Sequence, residues 1–302
     1  MLRKTAALGL LLCSLLLVAS PPAGFAQSLV RLTTWPVGTL TAFGLAVDAA
    51  GDVYVSGSGP NIDKFTNDGQ WLQSLPANGW DIVIGPDGNV YCSSGELVHK
   101  LTPTGQVLAS WGPDGTAATV FGQASAIAVN SQGEVFVADQ DDFHIHKFSS
   151  TGVPLLEWVC PSTVQAPNFG EIYAMVVDAQ DRLYVAEAWA GRIRRFDGSG
   201  QLLGQWDVPN GTAFGLAFDR EGMLYVADMG GSTIVRTTPD GTVLERWGSE
   251  GDGPDQFLFP WSVATDRWGN LFITDMHAEV HKYGPPATPA HRTTWGRVKQ
   301  GR

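Results

Sequence analysis

One short pattern recurs six times along this chain and limits the folds that the chain can adopt. In its first copy, Val47–Val55 (VDAAGDVYV), a glycine-containing turn joins two apolar runs. Near copies stand about 37 to 48 residues apart, a spacing typical of repeat architectures in which each unit buries its surface against its neighbours. They are centred on Gly88, Gly133, Asp181, Gly222 and Gly269.

Each copy is followed by two more short runs. The third run ends in a basic residue, as in Lys64-Phe65 and Lys147-Phe148, and a second turn glycine then precedes the fourth run. Four runs bounded by Gly, Asp or Pro, in units of about 40 to 50 residues, match a propeller blade. The sequence therefore predicts an all-β fold over residues 27–284: a six-bladed β-propeller of four-stranded antiparallel blades.

The last unit lacks a fourth run, so another part of the chain must supply its outer strand. In the other units a Leu stands three residues before a terminal Trp or Leu, and Leu32 and Trp35 fit that register. The C-terminal candidate ending at Trp295 has Arg292 where Leu is expected. We therefore predict that residues 28–36 pair with the sixth blade and close the ring.

The two ends of the chain differ from the repeats. Residues 1–26 carry Arg3 and Lys4, a long apolar run and small residues before Gln27, which is typical of a secretory signal peptide. We expect a secreted or periplasmic protein without a membrane span in its mature form. The tail over residues 285–302 is basic, has no acidic residue, and is expected to be loosely ordered.

The net charge limits the kind of partner that the protein binds, and the cysteine content limits the kind of scaffold. The net charge is −11, and it becomes about −13 once the leader's two basic residues are removed. Such a surface repels phosphate backbones, which excludes nucleic acid as the main partner. Without the leader only Cys92 and Cys160 remain, so the chain is no disulfide scaffold, and one bridge or two free thiols are both open.

The final repeat carries a resemblance to a known family. Trp247–Phe257, Phe259–Asp266 and Gly269–Asp275 resemble the NHL repeat, and the pattern extends over residues 43–284. The resemblance implies the propeller. Proteins of this kind include secreted binding domains, substrate-recognition domains of ubiquitin ligases and the lyase half of peptide-amidating enzymes. Gluconolactonase-like hydrolases and streptogramin lyases are more distant relatives, so the fold does not settle the function.

Ligands of propellers usually bind where the innermost strand of each blade begins, a face that we call the mouth. Five of the six residues predicted there are aromatic, and they could form a collar that stacks against sugars, peptides or planar ligands. Alternatively, they only plug the axis. These positions are Phe43, Trp80, Ser125, Tyr173, Phe214 and Trp261.

Loops predicted on the same face add charged and aromatic candidates for ligand contact. Such mixtures are typical of recognition surfaces, although solvated loops without a partner also contain them. The candidates are Asp142, His144, Trp189, Arg192 and His277.

The sequence offers little support for a metal site. In the amidating lyase, the zinc-binding histidines would fall at the collar positions, and none of the six is His, which excludes that activity. A gluconolactonase-like enzyme needs a compact set of oxygen ligands, for which Asp81, Glu171 and Asp228 are weak candidates. We expect no cofactor; a divalent metal belongs to the enzyme alternative.

Other histidines and carboxylates recur at fixed repeat positions. The third-strand histidines are predicted to be too far apart to meet, and the carboxylates that end second strands to accept hydrogen bonds from turns. The histidines are His99, His146 and His281, and the carboxylates are Asp139, Glu187, Asp228 and Asp275.

Together these observations favour a monomeric binding or scaffold module that holds a small molecule, glycan or peptide at the mouth. The alternative is a metal-dependent hydrolase or lyase of the gluconolactonase or streptogramin-lyase type that uses the same mouth. A third possibility is a propeller that only assembles with a protein of the cell envelope.

Overall fold

The computed structural model describes residues 29–38, 41–112, 122–141, 143–160, 172–208 and 211–286. Within these ranges every named element is a β-strand, and the search for a helix long and apolar enough to cross a membrane finds none there. The predicted leader and nearly all of the predicted tail lie outside the described residues, as do Asp142 and Glu171.

The strands form six four-stranded antiparallel sheets, the blades. Blade one consists of β2 (Ala42–Val47), β3 (Val53–Gly57), β4 (Ile62–Phe65) and β5 (Trp71–Leu75). Blade two consists of β6 (Asp81–Ile84), β7 (Val90–Ser94), β8 (Leu97–Leu101) and β9 (Val107–Trp111). Blade three consists of β10 (Ala124–Val129), β11 (Val135–Asp139), β12 (His144–Phe148) and β13 (Pro154–Val159).

The remaining blades follow the same plan. Blade four consists of β14 (Ile172–Val177), β15 (Leu183–Glu187), β16 (Arg192–Phe196) and β17 (Leu202–Asp207). Blade five consists of β18 (Ala213–Phe218), β19 (Leu224–Asp228), β20 (Thr233–Thr237) and β21 (Val243–Trp247). Blade six consists of β22 (Ser262–Thr265), β23 (Leu271–Thr274), β24 (Glu279–Gly284) and β1 (Val30–Pro36).

The innermost strands close into a ring. Each contacts the innermost strand of the next blade, and β22 contacts β2. Closure by the N-terminal strand is as the sequence predicts: β1 pairs antiparallel with β24, from Val30 opposite Gly284 to Pro36 opposite Glu279. The predicted all-β six-bladed propeller is confirmed.

The repeated Leu of each outer strand lies at a β-bulge. In β1 the register shifts between Arg31 and Thr33, which leaves Leu32 as the extra residue. Every outer strand has the same shift at its Leu. A bulge re-aims the side chain, and these leucines are correspondingly exposed. They are Leu32, Leu72, Leu108, Leu155, Leu203 and Leu244.

The Trp at the end of the outer strand packs between blades. Trp111 of blade two contacts Phe148 of blade three, with ring centroids 6.3 Å apart, and its indole lies above Gly152. A Cβ at that glycine would stand 2.9 Å from the ring, and the residue has φ of +83°. Trp and the second turn glycine of the sequence pattern are thus the two sides of one interface.

The repeated basic residue fixes the turn between the first two strands. Lys100 contacts the Asp87 carboxylate at 2.7 Å and lies 5.0 Å from the centre of the Tyr91 ring. The Tyr91 hydroxyl donates to the same carboxylate at 3.2 Å. Partial burial acts to raise the pKa of Asp87, but bonds from Lys100 and Asn89 outweigh it and lower this pKa to about 2.

Replacing Lys100 by Met is expected to lower the free energy of unfolding at pH 7 by about 0.5–1 kcal/mol, because Asp87 is partly exposed and screened. Because the pKa of Asp87 is lower in the folded protein than the ~4 of an unfolded chain, the ionised carboxylate stabilises the fold above that pH. This stabilisation is lost as the pH falls through the pKa of Asp87 in the folded protein. Urea unfolding at pH 7, 4 and 2 should show the wild-type advantage shrinking toward pH 2. An advantage that persists at pH 2 would contradict this account.

The two cysteines do not join. Both are free and buried, which resolves the alternatives left open by the sequence. Burial raises the pKa of Cys92 to about 12 and raises that of Cys160 as well. Both are therefore unreactive thiols at neutral pH.

Candidate functional site

The predicted collar residues stand at or just before the first residues of the innermost strands, and the structure brings the five aromatic side chains together. Phe43 stacks on Trp80, with ring centroids 4.8 Å apart and planes at 25°. On its other side Phe43 contacts Trp261 at 5.1 Å. Trp261 in turn contacts Phe214 at 4.9 Å and Tyr173 at 6.0 Å.

The rings fill the axis at the mouth instead of surrounding an open hole. Phe214 is only 2% exposed and stacks on Tyr173 at 4.7 Å, so it has the plugging role. Trp80 is 40% exposed and offers a free part of its indole to solvent. The cluster is therefore tightly packed at Phe214 and exposed at Trp80, and we call its exposed edge the aromatic platform.

A cleft beside Trp80 extends the platform. It has a cavity volume of about 280 Å³ and runs past Phe43 and Trp80 to the loops at Ser58, Asn78 and Ser94. Gly79, which lines it, packs closely against the neighbouring strand, since a Cβ there would stand 2.9 Å from the Ser93 carbonyl oxygen. Such a cleft has an aromatic wall and a floor of small polar groups.

A smaller recess forms where blade three has Ser125 in place of an aromatic residue. Its volume is about 60 Å³, and Gln123 and Gln140 line it together with Trp80, Tyr173 and Trp261. The two glutamine amides were missed in the sequence analysis. Gln123 could have been found there, because it directly precedes the first strand of its blade.

Of the loop candidates, Trp189 joins the aromatic cluster. Its ring meets that of Phe214 edge-on at 5.4 Å, and the residue is 43% exposed. Arg192 pairs with Asp207 on the outer strand of its own blade at 3.2 Å. The ring of His144 lies 6.0 Å from that of His146.

His277 lies at the mouth end of blade six, since the Trp261 amide donates to the Thr274 carbonyl at 2.8 Å. Its Nδ1 is 3.9 Å from a carboxylate oxygen of buried Asp275, and its Nε2 is 3.4 Å from Asp252. The imidazole side chain is 38% exposed. This is a half-exposed imidazole held between two carboxylates.

Three of the four carboxylates that end second strands accept hydrogen bonds from turns, as predicted, and Glu187 is the exception. Asp139 accepts from the amides of Gly122, Gln123 and Asp141 at 2.8 to 3.1 Å. Asp228 accepts from Gly231 and the Thr212 hydroxyl.

Asp275 accepts from the amides of Leu258 and His277, and it also contacts His281. Burial acts to raise the pKa of Asp275, but the hydrogen bond and charge of His281, together with the amides of Leu258 and His277, outweigh it and keep this pKa below its usual value. Glu187 is bonded differently, through a buried pair with Arg194.

The structure describes two of the three metal-ligand candidates, Asp81 and Asp228. Asp228 is buried in the turn network just described, and Asp81 bonds backbone amides of Ile82 and Ile127. Across the described parts of the chain, no three His, Cys, Asp or Glu side chains are arranged to hold a metal ion. Glu171 lies outside those parts.

Comparison with known proteins identifies the fold. A scan against protein-family models finds no match, and a search of curated proteins finds no similar sequence. A streptogramin B lyase structure is similar with a TM-score of 0.64 at 13% identity, over 86% of this chain and 99% of that one.

Two further solved structures are similar. One is a catalytically inactive His-to-Ala variant of virginiamycin B lyase from Staphylococcus aureus with quinupristin, with a TM-score of 0.61 at 13% identity, over 83% of this chain and 98% of that one. The other, a protein of unknown function from Bacteroides caccae, has a TM-score of 0.55 at 17% identity, over 68% of this chain and 80% of that one. At such identities these similarities establish the propeller fold alone.

Proposed function

We propose that this protein is a binding module that holds an uncharged polar ligand, a glycan or a peptide, against the aromatic platform at the mouth. The main support is the exposed indole of Trp80, held rigid by its stack on Phe43. Asn78, Gln123 and Gln140 line the adjoining cleft and recess and supply uncharged donors and acceptors. Because the platform is preformed, little ordering entropy is lost on binding.

The experiment compares Trp80→Ala with wild type against a panel of oligosaccharides and short peptides, read out by titration calorimetry, which does not depend on the indole that the variant removes. We expect binding weaker by about two- to twelvefold, since aromatic stacking contributes about 0.5–1.5 kcal/mol. Trp80 suits this test better than Trp261, which contacts three other rings and would confound binding with folding.

Trp71→Ala is the matched control, because Trp71 is 61% exposed and lies on an outer strand. It should bind like wild type. Equal affinity for Trp80→Ala and wild type, or no binding across the panel, would retire the proposal.

A lyase acting at the same mouth is the second candidate, and one feature favours it. His277 is a half-exposed imidazole at the mouth, a residue type suited to proton transfer, and its Nδ1 is 3.9 Å from the Asp275 carboxylate, beyond hydrogen-bond distance. Two of the similar structures are lyases, one of them with quinupristin.

Incubation of the purified protein with quinupristin, followed by chromatography, separates the two candidates. A product that His277→Ala fails to form supports the lyase, and an unaltered compound supports the binding module.

The NHL assignment, the signal peptide, export and an envelope partner stay predictions. N-terminal sequencing of the exported protein tests the leader.

A further inference from the structure

A second cavity lies on the propeller axis, separate from the mouth cleft. Its volume is about 260 Å³, and side chains of the innermost strands line it. At one end its lining residues are the collar residues Phe43, Tyr173 and Phe214. At the other end it is lined by partly exposed residues near the ends of the same strands, among them Val47 and Phe218. The cavity therefore opens toward the face opposite the mouth.

Most side chains that line the cavity are apolar, backbone polar groups contribute to its accessible surface, and Asp81 is the single charged residue among the described residues that line it. This aspartate is an exception within the repeat. At the same position, directly after the collar residue, the other blades have Gly44, Ala126, Ala174, Gly215 and Ser262. Small residues suit the position because the strands approach closely there: a Cβ at Gly44 would stand 3.1 Å from the Asp81 Cα.

The Asp81 carboxylate reaches across to the next blade. One oxygen accepts from the Ile127 amide at 3.0 Å and the other from the Ile82 amide at 2.9 Å. A carboxylate has about four lone-pair positions, so both oxygens keep acceptor capacity. The residue lies deep in the protein, yet it keeps accessible surface because it lines the cavity.

In this environment the ionised Asp81 carboxylate costs free energy unless a cation lies beside it. Burial raises the pKa of Asp81 to about 7, against the opposing effect of its two amide bonds. No basic side chain of the described residues lines the cavity with it. A cation that entered the cavity would therefore recover free energy that the buried charge otherwise costs.

The other residues that line the cavity indicate what kind of cation would fit there. Apolar side chains favour an apolar body over a hydrated metal ion, and the aromatic rings that close the cavity attract positive charge. An engineered apolar cavity of ~150 Å³ holds benzene, so this larger volume suits a six-membered ring that carries an amine.

We propose that the axial cavity is a second binding site, for a compact organic ammonium ion that enters opposite the mouth and pairs with Asp81. This site is independent of the proposed glycan or peptide platform.

The test uses cyclohexylammonium and its uncharged analogue cyclohexanol as probes, with calorimetry at pH 8 and constant ionic strength. Wild type should bind cyclohexylammonium at least tenfold more tightly than cyclohexanol. Asp81→Asn keeps the side chain's size and an acceptor for the Ile127 amide but removes the charge, so the preference should disappear. The Trp80→Ala variant should retain it, because Trp80 does not line this cavity.

A second measurement does not depend on a variant. If the ion pairs with Asp81, saturating cyclohexylammonium must lower the pKa of the Asp81 carboxyl, measured by carbon NMR in the wild-type protein. Equal binding of the two probes, equal binding by Asp81→Asn, an unchanged Asp81 pKa, or equal competition by sodium chloride would each overturn the proposal.

Discussion

Replacing Trp35 by alanine is expected to destabilise the protein by about 3–5 kcal/mol, the usual cost of truncating a buried tryptophan. Trp35 is 6% exposed and lies on β1, the strand that closes the ring. Its ring contacts Phe65 of blade one and Phe272 of blade six, each at 6.3 Å. One substitution therefore removes contacts on both sides of the closure.

Urea unfolding measures this effect, and Trp71→Ala is the control. Trp71 is also on an outer strand but is 61% exposed, so its removal should change the free energy of unfolding by no more than about 0.5 kcal/mol. If the two substitutions cost the same, the closing strand does not stabilise the ring through Trp35.

The second large effect is expected at Arg194. Its guanidinium pairs with Glu187 at 3.0 Å, and both side chains are almost completely buried, at 1% and 2% exposure. Breaking such a pair leaves an uncompensated buried charge and costs about 3–5 kcal/mol. Arg194→Met should lose that amount at pH 7, and the double variant Glu187→Gln with Arg194→Met should recover most of it.

The pH dependence gives an independent check. Burial raises the pKa of Glu187 even with Arg194 beside it, and it should rise further in Arg194→Met. When the pKa of a carboxyl is higher in the folded protein than in the unfolded chain, protonation favours the folded state. The free energy of unfolding therefore rises as the pH falls toward ~4.3, the pKa of glutamate in the unfolded chain. The deficit of Arg194→Met should therefore shrink between pH 7 and pH 5.

The exposed pair Arg220 and Glu221 provides the control for this series. Its atoms are 3.2 Å apart, but the side chains are 61% and 45% exposed. Arg220→Met should change stability by less than about 0.5 kcal/mol. A deficit of Arg194→Met that is equally small would contradict the buried-pair account.

The N-terminal strand is also held by a polar contact that the repeat pattern does not contain. The Arg31 guanidinium donates to Nδ1 of His281 at 2.7 Å, so the proton of the neutral imidazole lies on Nε2, 3.1 Å from Asp275. His281 therefore has its contacts at the closing strand and at Asp275. The sequence analysis could not find Arg31 as its partner, because the two residues are 250 positions apart.

Repetition made the fold predictable. Four short runs per unit leave each sheet with two apolar faces, and only stacking and closure bury both. The register of Leu32 and Trp35 then selected the closing strand, as the pairing of β1 with β24 confirms. The same repeats marked the turn-binding role of Asp139 and Asp275.

What the sequence determined by itself was the ring, its closure and the start of each innermost strand, where the collar residues stand, since these follow from strand period and spacing. Only the tertiary structure decided how the residues there pack. It buries Phe214 and leaves Trp80 exposed, and it places Asp81 on the wall of a cavity. These outcomes depend on contacts between different blades, and a local pattern carries no information about them.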